Sequence, residues 1–274
     1  MSKLTSPTGK PIRLRALRPN AGVEAAYRKK LEVMIADMAG SYKYWLTAAW
    51  RQTGEIAQDR SHTVNIRDVM RKLGRRWQRN FDRIAEDVAK RFANQSAKSL
   101  DAAMADALKR AGFTVRFTMT AGVREAMLTA QERNVSLIKS IPKQFHQQVE
   151  HHIWQAVSKG GDLATLTQVL KDRFGVTHKR AALIALDQNS KAHAAYESAR
   201  RQELGITEAI WRHTGSSAEP RQSHKEAHGK RFDIAKGCLI DGEYIQPGEL
   251  IHCGCTSEAI IPGLAIMGNY RDTR

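Results

Sequence analysis

The sequence predicts an α+β protein: a mainly α-helical body of long helices followed by a small C-terminal antiparallel β-containing module. Between residues 21 and 205 apolar side chains recur at steps of three and four, the period of helices that bury one face. After residue 206 that period gives way to short apolar runs separated by glycine and proline turns. The chain of 274 residues carries 44 Lys and Arg against 28 Asp and Glu, a net charge of +16, which favours a polyanionic partner.

Taken in order, residues 1–20 hold Lys3, Lys10, Arg13, Arg15 and Arg18 among Pro7, Pro11 and Pro19, with no acidic residue. They read as an extended, flexible basic arm or a frayed terminus. The helical domain is expected over 21–205. Tyr27, Leu31, Met34, Ile35, Met38, Tyr42, Trp45, Leu46 and Ala49 stripe a helix from Val23 to about Thr53, broken by Gly54 and the polar run after it. A second helix, capped by Asn65, reaches Arg110 and buries Ile66, Val69, Leu73, Trp77, Phe81, Ile84, Val88 and Phe92. Gly112 stops it, and Phe113 to Thr118 form an extended link.

A third helix covers Ala121 to Lys139, with a restart at Ser140-x-Pro142, because proline suits a first helical turn. Phe145, Val149, Ile153 and Val157 share its face, and Gly160-Gly161 close it. His146, His151 and His152, with no cysteine or carboxylate pair nearby, read as surface histidines. Asp162 caps a short helix ended at Gly175, and Thr177 caps the next, to Glu203, with Gly205 as its stop. Asp187 and Gln188 interrupt the apolar face of that last helix. They read as a hydrogen-bonded pair tying it to the C-terminal module.

The module spans 206–263, with 264–274 a polar tail. Ile206–His213, Arg231–Ile234, Glu243–Ile245 and Ser257–Ile261 are its strand candidates, with turns at Gly237, Asp241-Gly242 and Pro247-Gly248. Three or four strands should pair antiparallel. Within it, His224 and His228 fall one helical turn apart, and Cys253 and Cys255 flank a glycine that lets both sulfurs face one centre. Two imidazoles and two thiolates complete a tetrahedral set for zinc. His252 and Cys238 are rival ligands, and a small core with surface histidines is the other reading.

Arg67, Arg71, Lys72, Arg75, Arg76, Arg79 and Arg83 crowd the first half of the second helix with only Asp68 and Asp82 between them. This is the expected nucleic-acid-binding surface, non-specific and directed at DNA phosphates. Three cysteines make no disulfide framework, which points to a reducing compartment. No apolar run reaches membrane-spanning length and residues 1–20 lack a signal-peptide core, so the expectation is a soluble protein made in the cytoplasm, with no membrane partner. Glu226 lies between the two histidines, with Asp233 and Glu249 near in sequence, so a metal-dependent nuclease is the alternative function. A site closed by four protein ligands would leave that chemistry no position for water.

The order Arg221-x-x-His224-x-x-x-His228-Gly229-Lys230, Phe232, Pro247-Gly248-Glu249 and Cys253-x-Cys255 resembles the C-terminal module of phage Mu F-like minor head proteins, the head morphogenesis family. The resemblance extends upstream through Ala182 to Gln188, Glu203-x-Gly205-Ile206 and Trp211. It implies a structural, non-enzymatic role in capsid assembly of a tailed phage or prophage. The implied partners are portal, major capsid or scaffold protein, near packaged DNA, in the host cytoplasm and then in the phage head. The family usually has an arginine between the cysteines and an acidic residue soon after the tryptophan. Here Gly254 and the run Thr214 to Ser217 stand instead.

Overall fold

The computed structural model describes residues 4–6, 8–52, 62–158, 163–215 and 220–263. The expected breaks at Gly54 and Gly160-Gly161, the Asp162 cap and the 264–274 tail lie outside them. In chain order the elements are β1 (Ile12–Arg13), α1 (Ala21–Gln52), α2 (His62–Arg110), α3 (Ala121–Ser158), α4 (Leu163–Glu203), β2 (Glu208–Arg212), α5 (Gln222–Glu226), β3 (Arg231–Asp233), β4 (Cys238–Ile240), β5 (Glu243–Ile245) and β6 (Thr256–Ile261). The fold is α+β, as expected, with long helices and a small antiparallel strand module. None of the described helices is long and apolar enough to cross a membrane.

Two compact units emerge, and neither is a single stretch of chain. One comprises 22–92 and 131–186; the other comprises 1–21, 93–130 and 187–274. Among its described residues the first is helical throughout, built from α1 and from parts of α2, α3 and α4. Its core holds Leu31, Ile35, Met38, Tyr42, Leu46, Ile66, Met70, Phe81, Ile138, Phe145, Val149 and Ile153. Tyr27 stacks on Phe92 with ring centroids 4.4 Å apart and donates its hydroxyl to Asn134 Oδ1 at 2.8 Å.

Two expected helix boundaries are absent. α3 runs through Ser140 and Pro142 unbroken. A proline in a helix interior clashes with the carbonyl one turn back and strands backbone acceptors there. Here Gln78 donates its side-chain amide to the Lys139 carbonyl at 3.1 Å, and Ser140 Oγ bonds back to the Leu137 carbonyl at 2.6 Å. α4 likewise passes through Gly175, and Thr177, expected as a cap, instead donates its hydroxyl to the Arg173 carbonyl at 2.9 Å inside the helix. Asn65 is also interior to α2 and does not cap it.

His146 is not a surface histidine. Its Nδ1 lies 2.9 Å from the Tyr42 hydroxyl, and its ring presses on Gly74. Burial pushes its pKa down, against the opposing pull of Glu150.

The second unit carries the sheet, in the order β1-β6-β2-β3, and a separate β4-β5 hairpin turning at Asp241-Gly242, both in positive φ. Its strand pairs are antiparallel. The expected arm supplies the edge strand: Ile12 pairs Ile261 and Arg13 pairs Ile260, while Leu14 and Leu17 are buried. Leu4 N–H bonds the Leu204 carbonyl at 3.0 Å and Ser6 N–H the Pro262 carbonyl at 2.8 Å. Most of the segment's cations stay exposed. The alternation of apolar and basic residues gave it a buried side that its overall composition concealed.

Gly74 and Gly40 test the helical packing. A Cβ at Gly74 would sit 2.8 Å from His146 Cε1, whereas one at Gly40 meets nothing within 4 Å. Overpacking costs about 1–3 kcal/mol, while replacing a helical glycine gains about 0.5–1 kcal/mol. Urea unfolding should therefore show Gly40→Ala stabilised and Gly74→Ala destabilised.

Candidate metal centre

The site begins with strand register. β2 and β6 pair Trp211 with Ser257 and Arg212 with Thr256. Carried one residue past both strand ends, the same register sets His213 opposite Cys255. Alternation along β2 puts His213 on the face of Trp211, which is fully buried. α5 then brings His224 under that indole, edge to face, with centroids 5.3 Å apart. Arg221, just before α5, donates two hydrogen bonds to the Ile251 carbonyl, both 3.2 Å long, and so holds the loop that leads to the cysteines.

That loop is shaped by α4. His252 has φ 58°, a left-handed conformation unusual for a residue with a side chain. Its N–H donates to Asp187 Oδ1 at 3.3 Å, while Asp187 Oδ2 accepts from Lys191 Nζ at 2.7 Å and from Gln188 Nε2 at 3.0 Å. Gly248, at φ 85°, lies against the Ser190 carbonyl and Ala194. The polar break in the apolar face of α4 thus anchors the cysteine loop. The two departures from the Mu F-like pattern meet here as well, since Thr214 Oγ1 donates to the Gly254 carbonyl at 2.7 Å.

His224, Cys253 and Cys255 converge with donor atoms within 4.8 Å of one another, a group that can hold a metal ion. They are 3 %, 4 % and 7 % exposed. His224 Nδ1 is 3.4 Å from Cys253 Sγ and 3.7 Å from Cys255 Sγ, and His213 Nδ1 is 3.6 Å from Cys255 Sγ. The cysteines titrate as a pair. The Cys255 thiol donates to Cys253, which lowers the Cys253 pKa, and that bond together with burial pushes Cys255 up.

The other proposed ligands stand apart from this group. α5 ends at Glu226 with Ala227 as its cap, so His228 leaves the helical face it was expected to share with His224. His228 is exposed, and its Nδ1 accepts the His213 backbone N–H at 3.2 Å. His252 lines the recess over the cluster but is exposed. Cys238 is buried on β4, opposite Ile245. Spacing did not single out His213, whose Nδ1 lies beside Cys255 at the edge of the group. Its signal was the strand register, which sequence alone did not fix.

The carboxylates of the nuclease alternative are bonded elsewhere. Glu226 accepts from Gln222 at 3.1 Å, Asp233 caps the turn at Ala235 and Lys236, and Glu249 accepts the Gln246 N–H at 2.7 Å. Among the described residues that line the recess there is no carboxylate. On α2, all of Arg67, Arg71, Lys72, Arg75, Arg76, Arg79 and Arg83 are exposed, on the half of the helix opposite its buried stripe. Arg71 pairs with Asp68 at 2.6 Å, and the Arg67 guanidinium lies 5.6 Å over the Trp154 ring.

Residues 147–258, which include His213, His224 and both cysteines, match a family model described as Phage Mu protein F like protein. Over those residues the chain is similar to that family. A Haemophilus influenzae protein described as uncharacterized is 25 % identical over 244 residues, covering 87 % of this chain and 53 % of that relative. The chain therefore spans about half the length of the curated relative it matches. No solved structure matches.

Asp187 should matter to the module through its grip on the cysteine loop. Asp187→Ala removes a charged acceptor worth about 1.5–3 kcal/mol. Amide exchange at His252 should quicken and the unfolding midpoint should fall. An unchanged His252 amide would mean the loop holds itself.

Proposed function

We propose that the chain is a minor head protein of a tailed phage or prophage, acting structurally in head assembly near the portal and the packaged DNA. The observation that carries this reading is the Mu F-like match over residues 147–258. Phage head morphogenesis is the setting that family suggests, and contact with other capsid proteins follows from it. The net charge of +16 and the exposed cationic half of α2 supply a surface suited to DNA. The dispersal of Glu226, Asp233 and Glu249 away from the His/Cys cluster supports a structural role over hydrolysis.

The direct test is electron microscopy of heads assembled with and without this chain, together with association of the purified chain with portal or shell protein. Normal heads in its absence and no association with either partner would overturn the reading. Incubated with plasmid or single-stranded DNA and Mg²⁺, Mn²⁺ or Zn²⁺, the chain should leave the DNA intact. Metal-dependent cutting abolished by Glu226→Gln would establish the nuclease instead.

DNA binding should be sequence-independent and salt-dependent, each neutralised phosphate adding about −0.9 to the slope of log K against log salt. Replacing Arg71, Arg75, Arg76 and Arg79 together by Gln should weaken binding equally on unrelated sequences and flatten that slope. Binding indifferent to both salt and the substitution would assign the charge to an acidic protein partner.

A further inference from the structure

We propose that His213, His224, Cys253 and Cys255 form a closed tetrahedral zinc site, with His213 as the fourth ligand. In a tetrahedral site with zinc–sulfur bonds of about 2.3 Å and zinc–nitrogen bonds of about 2.0–2.1 Å, a nitrogen and a sulfur ligand lie about 3.5 Å apart. The three nitrogen–sulfur separations here are 3.4, 3.6 and 3.7 Å. His224 Nδ1 approaches both sulfurs at once, as a ligand sharing one centre with them would. A cation between His224, Cys253 and Cys255 addresses all three, and His213, whose Nδ1 is close to Cys255 alone, is the side chain at hand for the fourth position.

The surroundings suit thiolates. Backbone N–H groups of Cys255 and Gly248 face Cys253, and that of Thr214 faces Cys255. Such donors orient and stabilise metal-bound sulfur. Two thiolates and one Zn²⁺ sum to zero charge, so the buried site needs no counter-ion, consistent with the absence of a carboxylate among the described residues that line the recess. Two imidazoles and two thiolates also satisfy the softness and geometry of Zn²⁺ better than those of Mg²⁺ or Ca²⁺.

His213 is fixed to the task by the fold. The β2–β6 register sets it opposite Cys255, and His228 holds its backbone N–H at 3.2 Å. The closed site clasps the end of β2, helix α5 and the loop before β6 at one point, and leaves no coordination position for water or substrate. This inference is independent of the head-assembly reading, since the clasp serves the module whatever the chain assembles with.

The test uses the full chain, stripped by chelator and titrated with Co²⁺, then Zn²⁺. Expected are one Co²⁺ per chain, the visible bands of tetrahedral cobalt with thiolate charge transfer in the near ultraviolet, and loss of those bands as Zn²⁺ displaces Co²⁺. His213→Ala should lose the tetrahedral bands or weaken Co²⁺ binding by at least about tenfold. His228→Ala, His252→Ala and Cys238→Ser should keep one tetrahedral metal per chain. If His213→Ala is insoluble, His213→Cys preserves a donor and should bind one Co²⁺ with stronger thiolate charge transfer. No stoichiometric metal in the wild type, wild-type spectra and affinity in a soluble His213→Ala, or spectra of His213→Cys without added thiolate intensity would each overturn the assignment. So would loss of the bands in His228→Ala or His252→Ala.

Discussion

A guanidinium withdrawn from water costs several kcal/mol unless fixed partners surround it, and Arg201 imposes that requirement at the junction of α4 and the sheet. It is fully enclosed, burial pushing its pKa down against the attraction of Glu197. Its Nη2 reaches Glu197 Oε1 at 2.6 Å and the Ser257 carbonyl at 2.9 Å, and its Nη1 reaches Ser257 Oγ at 2.7 Å. Ser257 is the residue paired with Trp211 in the β2–β6 ladder. The position of the helix end, the depth of β6 and the register that sets His213 against Cys255 are therefore mutually dependent. Neighbouring Arg200 points elsewhere on the helix. It grips both Asp101 oxygens, the Thr118 carbonyl and Glu203, and lies over Phe117 at 4.8 Å. Two consecutive arginines thus tie α4 to the sheet on one side and to the end of α2 and the following link on the other.

The same helix shapes the cysteine loop through Asp187, so the His/Cys cluster is built on rigid elements although its cysteines sit on irregular chain. Every donor is approached from a different direction: His213 from a strand end, His224 from a single helical turn, Cys253 and Cys255 from a loop whose left-handed residue is held by a carboxylate. Such an arrangement favours a fixed structural centre over a mobile one. It also explains why the acidic residues near in sequence are not near in space, as each of them closes a local turn or helix.

Much of the architecture was legible. Apolar periodicity identified the long helices because each buries a continuous stripe, and the turn chemistry at Asp241-Gly242 and Gly112 marked real chain reversals and stops. The breaks misread at Pro142 and Gly175 share a cause. Local punctuation predicts an interruption, yet a tertiary donor from Gln78 and buried neighbours such as Leu170 and Ala181 carry the helices through. His224, Cys253 and Cys255 stood out by residue type and spacing. His228 lies outside the group because i,i+4 spacing implies proximity only if the helix lasts, and α5 stops short of it. His213 is adjacent to Cys255 through strand pairing, a relation invisible in linear spacing. Nor does composition reveal that the helices contribute to two units, or that the first residues complete a sheet formed by the last.

That final relation orders the events of synthesis. Ile12 leaves the ribosome early and Ile261 late, yet they are neighbours in one sheet. Throughout translation the amino-terminal strand has no edge to join, and its backbone donors and acceptors are left to water or to whatever binds them. The sheet is complete only when β6 emerges and takes β2 on one side and β1 on the other. A chain cut short before Thr256 would lose the strand shared by both neighbours, and the module would fail at its two borders at once.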